Sequence, residues 1–182
     1  MDDAPLLLAI DEGTTSTRAL ALDLAGNVVA AAARPVTQYY PQPGWVEQDA
    51  AQLWEATLAA AREVVERVGT AAIAAIGLTN QRETVVFFDR ATGEPIAPAI
   101  VWQDRRSAEL CAALRADGIE PHVQATTGLL LDPYFSATKM RWALDHWPAL
   151  ARAADAGPAR EALGYAPRPF LPDAAMFDAP PR

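Results

Sequence analysis

The chain opens on a continuous apolar run, Leu6-Leu7-Leu8-Ala9-Ile10, that stops at Asp11-Glu12-Gly13-Thr14-Thr15, the pattern of a buried strand entering a tight turn. A second run, Thr17 to Leu24, follows at once, and Gly26-Asn27 separates it from Val28 to Ala32. Connections this short leave no room for a helical crossover, so the pattern predicts three strands in an antiparallel meander. Pro35 to Trp45, with Pro41, Pro43 and Gly44, breaks both periods and reads as an ordered loop. Asp49 then suits the N-cap of a long helix, with Gln52 three residues on as in a capping box, and Gly69 ends it. Within it Leu53, Trp54, Leu58, Ala61, Val64, Val65 and Val68 recur at spacings of three and four. They predict one apolar stripe packed on the sheet, with Glu55, Arg62, Glu63 and Glu66 facing water.

Another apolar strand is expected over Ile73 to Leu78, followed by a hairpin pairing Thr84–Asp89 with Ile96–Trp102 across Arg90-Ala91-Thr92-Gly93. From Arg106 onward the periods are helical: Ser107 to Ala116, a short piece near Pro121 to Thr126, Ser136 to His146 and Pro148 to Ala156. After Ala156 the composition changes. Residues 157–182 hold six of the 15 prolines and no sustained period, so no packed element is predicted there and the stretch reads as a loosely ordered tail.

Composition narrows the chemistry. With 51% hydrophobic and 21% charged residues, 182 residues are enough for a packed core. Fifteen Lys and Arg against 23 Asp and Glu give a formal charge of −8, which argues against broad attraction to nucleic acid or anionic lipid; any phosphate must be gripped locally. The one cysteine, Cys111, excludes an intrachain disulfide, and with only His122 and His146 besides, a Cys/His metal site has almost no material. Cys111 lies among Leu110, Ala113 and Leu114 and reads as a buried structural thiol. No secretory signal or membrane span is expected, and reducing cytoplasm is the default compartment.

Four polar clusters carry candidate chemistry. Asp11-Glu12-Gly13-Thr14-Thr15-Ser16-Thr17-Arg18 sits where one buried strand turns into the next. Successive backbone N–H groups, Gly13, the Thr14 and Thr15 hydroxyls and the Arg18 charge together suit a phosphate, and Asp11 suits a magnesium ion held through water. Read alone, an ordinary hairpin turn explains the same residues, and both G-x-x-x-x-G-K-[ST] and G-x-G-x-x-G are absent. Asn80-Gln81-Arg82-Glu83 ends the Ile73–Leu78 strand and offers donors and acceptors to polyol hydroxyls; a surface turn is the plainer alternative. In Trp102-Gln103-Asp104-Arg105-Arg106 an aromatic face covers a carbon chain or simply fills core. Asp132-Pro133-Tyr134-Phe135-Ser136 precedes a helix, and Tyr134 either offers its hydroxyl to the same pocket or packs as a staple. Three of the four lie at or just after strand ends, where ligands of α/β folds collect.

These segments, in this order, resemble the N-terminal part of the glycerol kinases of the FGGY carbohydrate-kinase family. The resemblance rests on Ala9–Arg18, Tyr40–Glu47, Ile76–Thr84, Ile100–Arg106 and Thr127–Lys139, and covers roughly residues 5–156. It implies an α/β fold: a ribonuclease-H-like lobe of the actin and hexokinase type, with a mixed β-sheet and flanking helices. It also implies ATP-dependent phosphorylation of glycerol to glycerol 3-phosphate, with ATP and Mg²⁺ as cofactors. Residue by residue, it puts Asp11 near the metal, Gly13, Thr14, Thr15, Ser16 and Arg18 around the nucleotide phosphates, and Arg82, Glu83, Trp102 and Tyr134 around glycerol. The first motif is shared by the wider family, whereas Asn-Gln-Arg-Glu with Asp-Pro-Tyr-Phe-Ser points to glycerol.

The catalytic base, an aspartate in the family, is expected beyond the segment that shows the resemblance, so no residue here is assigned that role. On this reading 1–156 is an incomplete N-terminal kinase lobe, inactive alone, and 157–182 is a proline-rich tail, either disordered or foreign, from a changed reading frame or a misjoined gene end. The second lobe is missing, and the intact family member is expected to be a homo-oligomer. A lobe built to face a partner lobe is expected to expose apolar surface. Glu12 stands where a glutamine is common in the resembling enzymes; a second acid beside Asp11 either strengthens metal binding or repels phosphate. The alternatives in function are a non-catalytic polyol- or phosphate-binding remnant and a kinase for another sugar.

Overall fold

Alternation in the first strand sets the core. The structure is a computed structural model that describes residues 4–153. In β1 (Leu6–Glu12) Leu6, Leu8 and Ile10 are buried. β2 (Ser16–Leu22) pairs with β1 antiparallel and buries Thr17, Ala19 and Ala21. β3 (Val28–Pro35) continues the expected meander on the other side of β2. After a loop containing a single bridge from Tyr39 to Glu47 comes β4 (Glu47–Gln48), a two-residue strand that no period announces.

α1 (Ala50–Val68) has the expected bounds. Asp49 caps it by accepting from the Ala51 and Gln52 amides, at 2.8 and 3.3 Å, and the Gly69 N–H closes its end on the Val65 carbonyl at 2.8 Å. The capping box is not completed, because the Gln52 amide side chain pairs with the Tyr39 hydroxyl instead. α1 packs over β2 and β3, burying Ala60 and Val64 against Leu6, Leu8, Ile10, Ala19, Ala21 and Ala32. Trp54, expected in this stripe, is 61% exposed, because small side chains carry the contact with the sheet further along the helix.

A 3₁₀ turn at Thr70–Ala72 leads into β5 (Ile73–Thr79), which pairs with β1 in parallel. The sheet is therefore mixed, in the order β3-β2-β1-β5. β5 is an edge strand; Ile76 and Leu78 share the α1 face with Leu8 and Ile10 by register, yet are 61% and 76% exposed. They leave an apolar stretch of this edge open to solvent. The predicted hairpin forms only in part. Val85 bridges Ile100 and Phe88 bridges Pro95, while β6 (Ala99–Ile100) forms its ladder with β4. Pro95 and Pro98 each lack the N–H a longer ladder needs.

The chain divides into two units, Met1–Gln103 and Asp104–Arg182. The described part of the second is helical: α2 (Ala108–Ala116), α3 (Glu120–Thr127), α4 (Ser136–His146) and α5 (Pro148–Ala153). Its interior holds Cys111, Leu131, Ala143 and Leu150 together with an Asp104–Arg106 ion pair at 2.8 Å, the guanidinium lying 4.9 Å from the Trp142 ring centre. No helix among the described residues is long and apolar enough to cross a membrane. The tail expected at 157–182 lies outside the described residues.

Candidate functional site

Strand register gathers the first cluster. Side chains directly opposite in neighbouring strands share a face, and Asp11 of β1 stands opposite Arg18 of β2 and Thr79 of β5. An acid, a base and a hydroxyl thus meet on the face away from α1, at the carboxyl end of the parallel pair, with Ala9 beside Gly77 behind them. Asp11 is half-buried and Arg18 exposed.

The turn that follows is closed by its own backbone. The Gly13 N–H donates to the Ser16 carbonyl at 3.1 Å, and a Cβ on Gly13 would stand 2.7 Å from that oxygen, so only glycine fits. Beyond it, the Val36 N–H donates to the Thr15 carbonyl at 2.9 Å and ties the turn to the end of β3. Two glutamines hold the remaining carbonyls. Gln48 Nε2 donates to the Thr14 carbonyl at 2.7 Å, and Gln81 Nε2 donates to the Gly13 carbonyl at 3.0 Å and to Gln48 Oε1 at 3.0 Å.

The Gln81 and Trp102 motifs join this arrangement. Thr84 Oγ1 donates to Gln81 Oε1 at 3.1 Å and accepts from the Trp102 N–H at 3.2 Å, while the Trp102 indole N–H donates to Thr14 Oγ1 at 2.9 Å. Thr14, Gln48, Gln81, Thr84 and Trp102 therefore form a closed hydrogen-bonded ring. Its direction is fixed, because a main-chain carbonyl only accepts and thereby orients each amide. Arg82 and Glu83 follow Gln81 directly. Arg82 is exposed, and Glu83 is half-buried with φ 66°, a left-handed conformation unusual for a residue with a side chain.

Tyr134 belongs to the second unit, between Asp132 and α4. Its N–H donates to Asp132 Oδ1 at 2.8 Å and its carbonyl accepts from the fully buried Lys139 ammonium at 2.5 Å, so its backbone is held from both sides. The ring meets Phe135 edge to face, centroids 5.1 Å apart. Of the expected glycerol residues, Arg82, Glu83 and Trp102 lie in the first unit and Tyr134 in the second.

Glu12 resolves differently from either expectation. Alternation turns it to the α1 face, away from Asp11, where Oε1 accepts from the hydroxyls of Thr17 and Thr57. It clips β1 and β2 to the helix. Asp11, on the opposite face, is left apart from these hydroxyls, and no group of three or more His, Cys, Asp or Glu side chains is gathered among the described residues.

The sequence pattern passed over Gln48, Thr57 and Thr84. Gln48 stands between Glu47 and the Asp49 cap, where no local pattern marks it, and only its full burial, in which an amide requires partners, singles it out. A cavity of about 540 Å³ in the first unit is bounded by Tyr39, Asp49, Ala50 and Pro95 to Pro98. Gln48 lines it but Thr57 and Thr84 do not, and of its two acids, Glu47 and Asp49, the latter is occupied in capping α1.

Comparison with known proteins agrees with this geometry. The sequence profile of the FGGY family of carbohydrate kinases, N-terminal domain, matches residues 6–160. A glycerol kinase of Rhodospirillum rubrum is 57% identical over 155 residues, 84% of this chain and 31% of its own, and one of Alkalilimnicola ehrlichii is 55% identical over 153 residues, 83% and 31%. Among solved structures, Plasmodium falciparum glycerol kinase with ADP superposes with a TM-score of 0.79 at 32% identity, covering 85% of this chain and 31% of that one. A xylulose kinase from Rhodospirillum rubrum gives 0.75 at 34%, covering 81% and 30%. The chain spans about a third of the length of these relatives. A mixed sheet flanked by helices, the match over nearly the whole described chain and these likenesses lead to one conclusion: the chain belongs to the FGGY family of carbohydrate kinases and carries its N-terminal domain.

Proposed function

We propose that this chain supplies the phosphate turn and much of the polyol site of a glycerol kinase, which transfers the γ-phosphoryl group of ATP to glycerol. The observation that carries the reading is the closed ring, since it makes the Thr14 turn and the Gln81–Trp102 motifs one hydrogen-bonded body. The curated relatives named as glycerol kinases support the choice of substrate.

Phosphoryl transfer demands positioning and charge neutralisation more than covalent chemistry. Thr14, Thr15 and Ser16 donate hydrogen bonds to the phosphates, and Arg18 adds fixed positive charge beside them. Asp11 would hold Mg²⁺, which when bound would offset charge on the phosphate oxygens. Glycerol hydroxyls are oriented by the Arg82 guanidinium and the Glu83 carboxylate, with the Trp102 ring against the carbon chain. Tyr134 is assigned to the same substrate on its motif. The base that takes the hydroxyl proton is assigned to no residue of this chain.

The test is titration of the ¹⁵N-labelled chain with glycerol, with D-xylulose and with Mg-ATP. Glycerol is expected to move the Arg82, Glu83 and Trp102 signals, more weakly or not at all in Arg82→Ala, and Mg-ATP to move those of Thr14 to Arg18, without turnover. A preference for xylulose, the substrate named in a solved relative, would replace the substrate; silence with all three would overturn the reading.

A further inference from the structure

A peptide unit is planar, and its C=O and N–H point in opposite directions. The Gly13 carbonyl belongs to the same plane as the Thr14 N–H, and the Thr14 carbonyl to the same plane as the Thr15 N–H. Gln81 holds the first of these carbonyls at 3.0 Å and Gln48 holds the second at 2.7 Å. Fixing two successive carbonyls on the glutamine side sends the two successive N–H groups to the other, which makes a paired donor for an anion. The glutamines bond to each other at 3.0 Å, and Gln48 is fully buried, so neither is free to turn without breaking the other's contacts.

We propose that Gln48 and Gln81 are positioning residues that act as one relay, aiming the Thr14 and Thr15 amides at a bound polyphosphate. Neither touches the anion. The relay also ties the segment around Arg82 and Glu83 to the phosphate turn: Gln81, just before them, holds the Gly13 carbonyl, and Thr84, just after them, donates to Gln81 and accepts from the Trp102 N–H. This rests on the assignment of the turn to phosphate, and the experiment separates the two.

The probe is magnesium tripolyphosphate, titrated into the ¹⁵N-labelled chain and into Gln48→Met, Gln81→Met and the double variant. In the wild type the Thr14 and Thr15 amide signals are expected to move saturably. Each single variant is expected to weaken binding about tenfold, the loss of roughly one neutral hydrogen bond's worth of positioning, and the double variant by about the same tenfold, because the pair acts as a unit. Wild-type affinity in Gln81→Met, or a hundredfold additive loss in the double variant, would overturn the relay. Should the methionine variants not fold, Gln81→Glu keeps length and the acceptor for Thr84 but has no N–H, and the same loss is expected. If tripolyphosphate leaves the wild type unmoved, the phosphate assignment fails, and amide exchange then judges the relay alone. Thr14 and Thr15 exchange changed about tenfold in ligand-free Gln81→Glu supports it; unchanged exchange rejects it.

Discussion

The indole N–H of Trp102 donates to the hydroxyl of Thr14 at 2.9 Å, across 88 positions of sequence. A residue singled out for a carbon chain thus holds one singled out for phosphate. Because Thr14 Oγ accepts this bond, its own proton is directed away from the indole.

Replacing Trp102 by phenylalanine keeps an aromatic face and deletes that donor. We expect Trp102→Phe to weaken magnesium tripolyphosphate about 3- to 10-fold, the scale of one neutral hydrogen bond, although the ring touches no phosphate. Isothermal titration with tripolyphosphate and, separately, with glycerol checks this. An effect confined to glycerol would show that the contact does not transmit.

Gly13→Ala tests the turn itself. The added Cβ would lie 2.7 Å from the Ser16 carbonyl oxygen, and the obstacle is backbone, which does not swing aside as a side chain does. Relief requires the turn to open, stretching the Gly13 N–H bond to that same oxygen. Urea unfolding should show a loss of about 1–3 kcal/mol, the usual range for overpacking, and the tripolyphosphate-induced shifts should vanish. Unchanged stability with intact binding would mean the turn adapts.

Glu83 holds φ 66° without being glycine, so stability and function pull apart there. Glu83→Gly is expected to retain stability or raise it, by up to about 1 kcal/mol, since it relieves a left-handed backbone strain, while Glu83→Ala keeps the strain. Both remove the carboxylate and both should lose glycerol binding. Thermal melts of the pair, beside glycerol titrations, distinguish this from a residue that serves only the fold.

Local pattern announced much of this architecture, and the failures share a cause. The continuous apolar run Leu6–Ile10 and the Asp49 and Gly69 signals place β1 and α1 to within two residues, because apolar runs and helix caps are properties of a few neighbouring residues. The parallel pairing of β5 with β1 and the two-residue β4 depend on contacts between distant segments, which no window contains. The site divides the same way. Asp11, Gly13 to Ser16, Arg18, Arg82, Glu83 and Trp102 stand in local motifs, whereas Gln48 became visible only through its partners Thr14 and Gln81. Glu12 shows how two adjacent acids part company: one residue of alternation sends Asp11 to the open face and Glu12 to Thr17 and Thr57 under the helix.

The last prediction concerns Cys111, 2% exposed on α2 with its thiol 3.6 Å from Thr138 Oγ1. Burial pushes its pKa above the ordinary 9.0, and the nearby negative charge of Asp132 adds to the effect, while the contact with Thr138 opposes it. The thiolate reacts and the thiol does not, so iodoacetamide at pH 8 should modify the folded chain far more slowly than the urea-unfolded one. The linkage to stability has a definite sign. Well below pH 9.0 the thiol is protonated in both states and contributes no slope; as pH rises through 9.0 the unfolded chain loses its proton first, which favours unfolding until the folded thiol also ionises. Lysine and tyrosine titrations overlap this window, so the measurement is the difference in urea midpoint between the wild type and Cys111→Ala from pH 8 to pH 10.5. The wild type's advantage should hold up to about pH 9 and shrink above it. A difference independent of pH, or rapid alkylation of the folded chain, would show that the thiol is open to solvent.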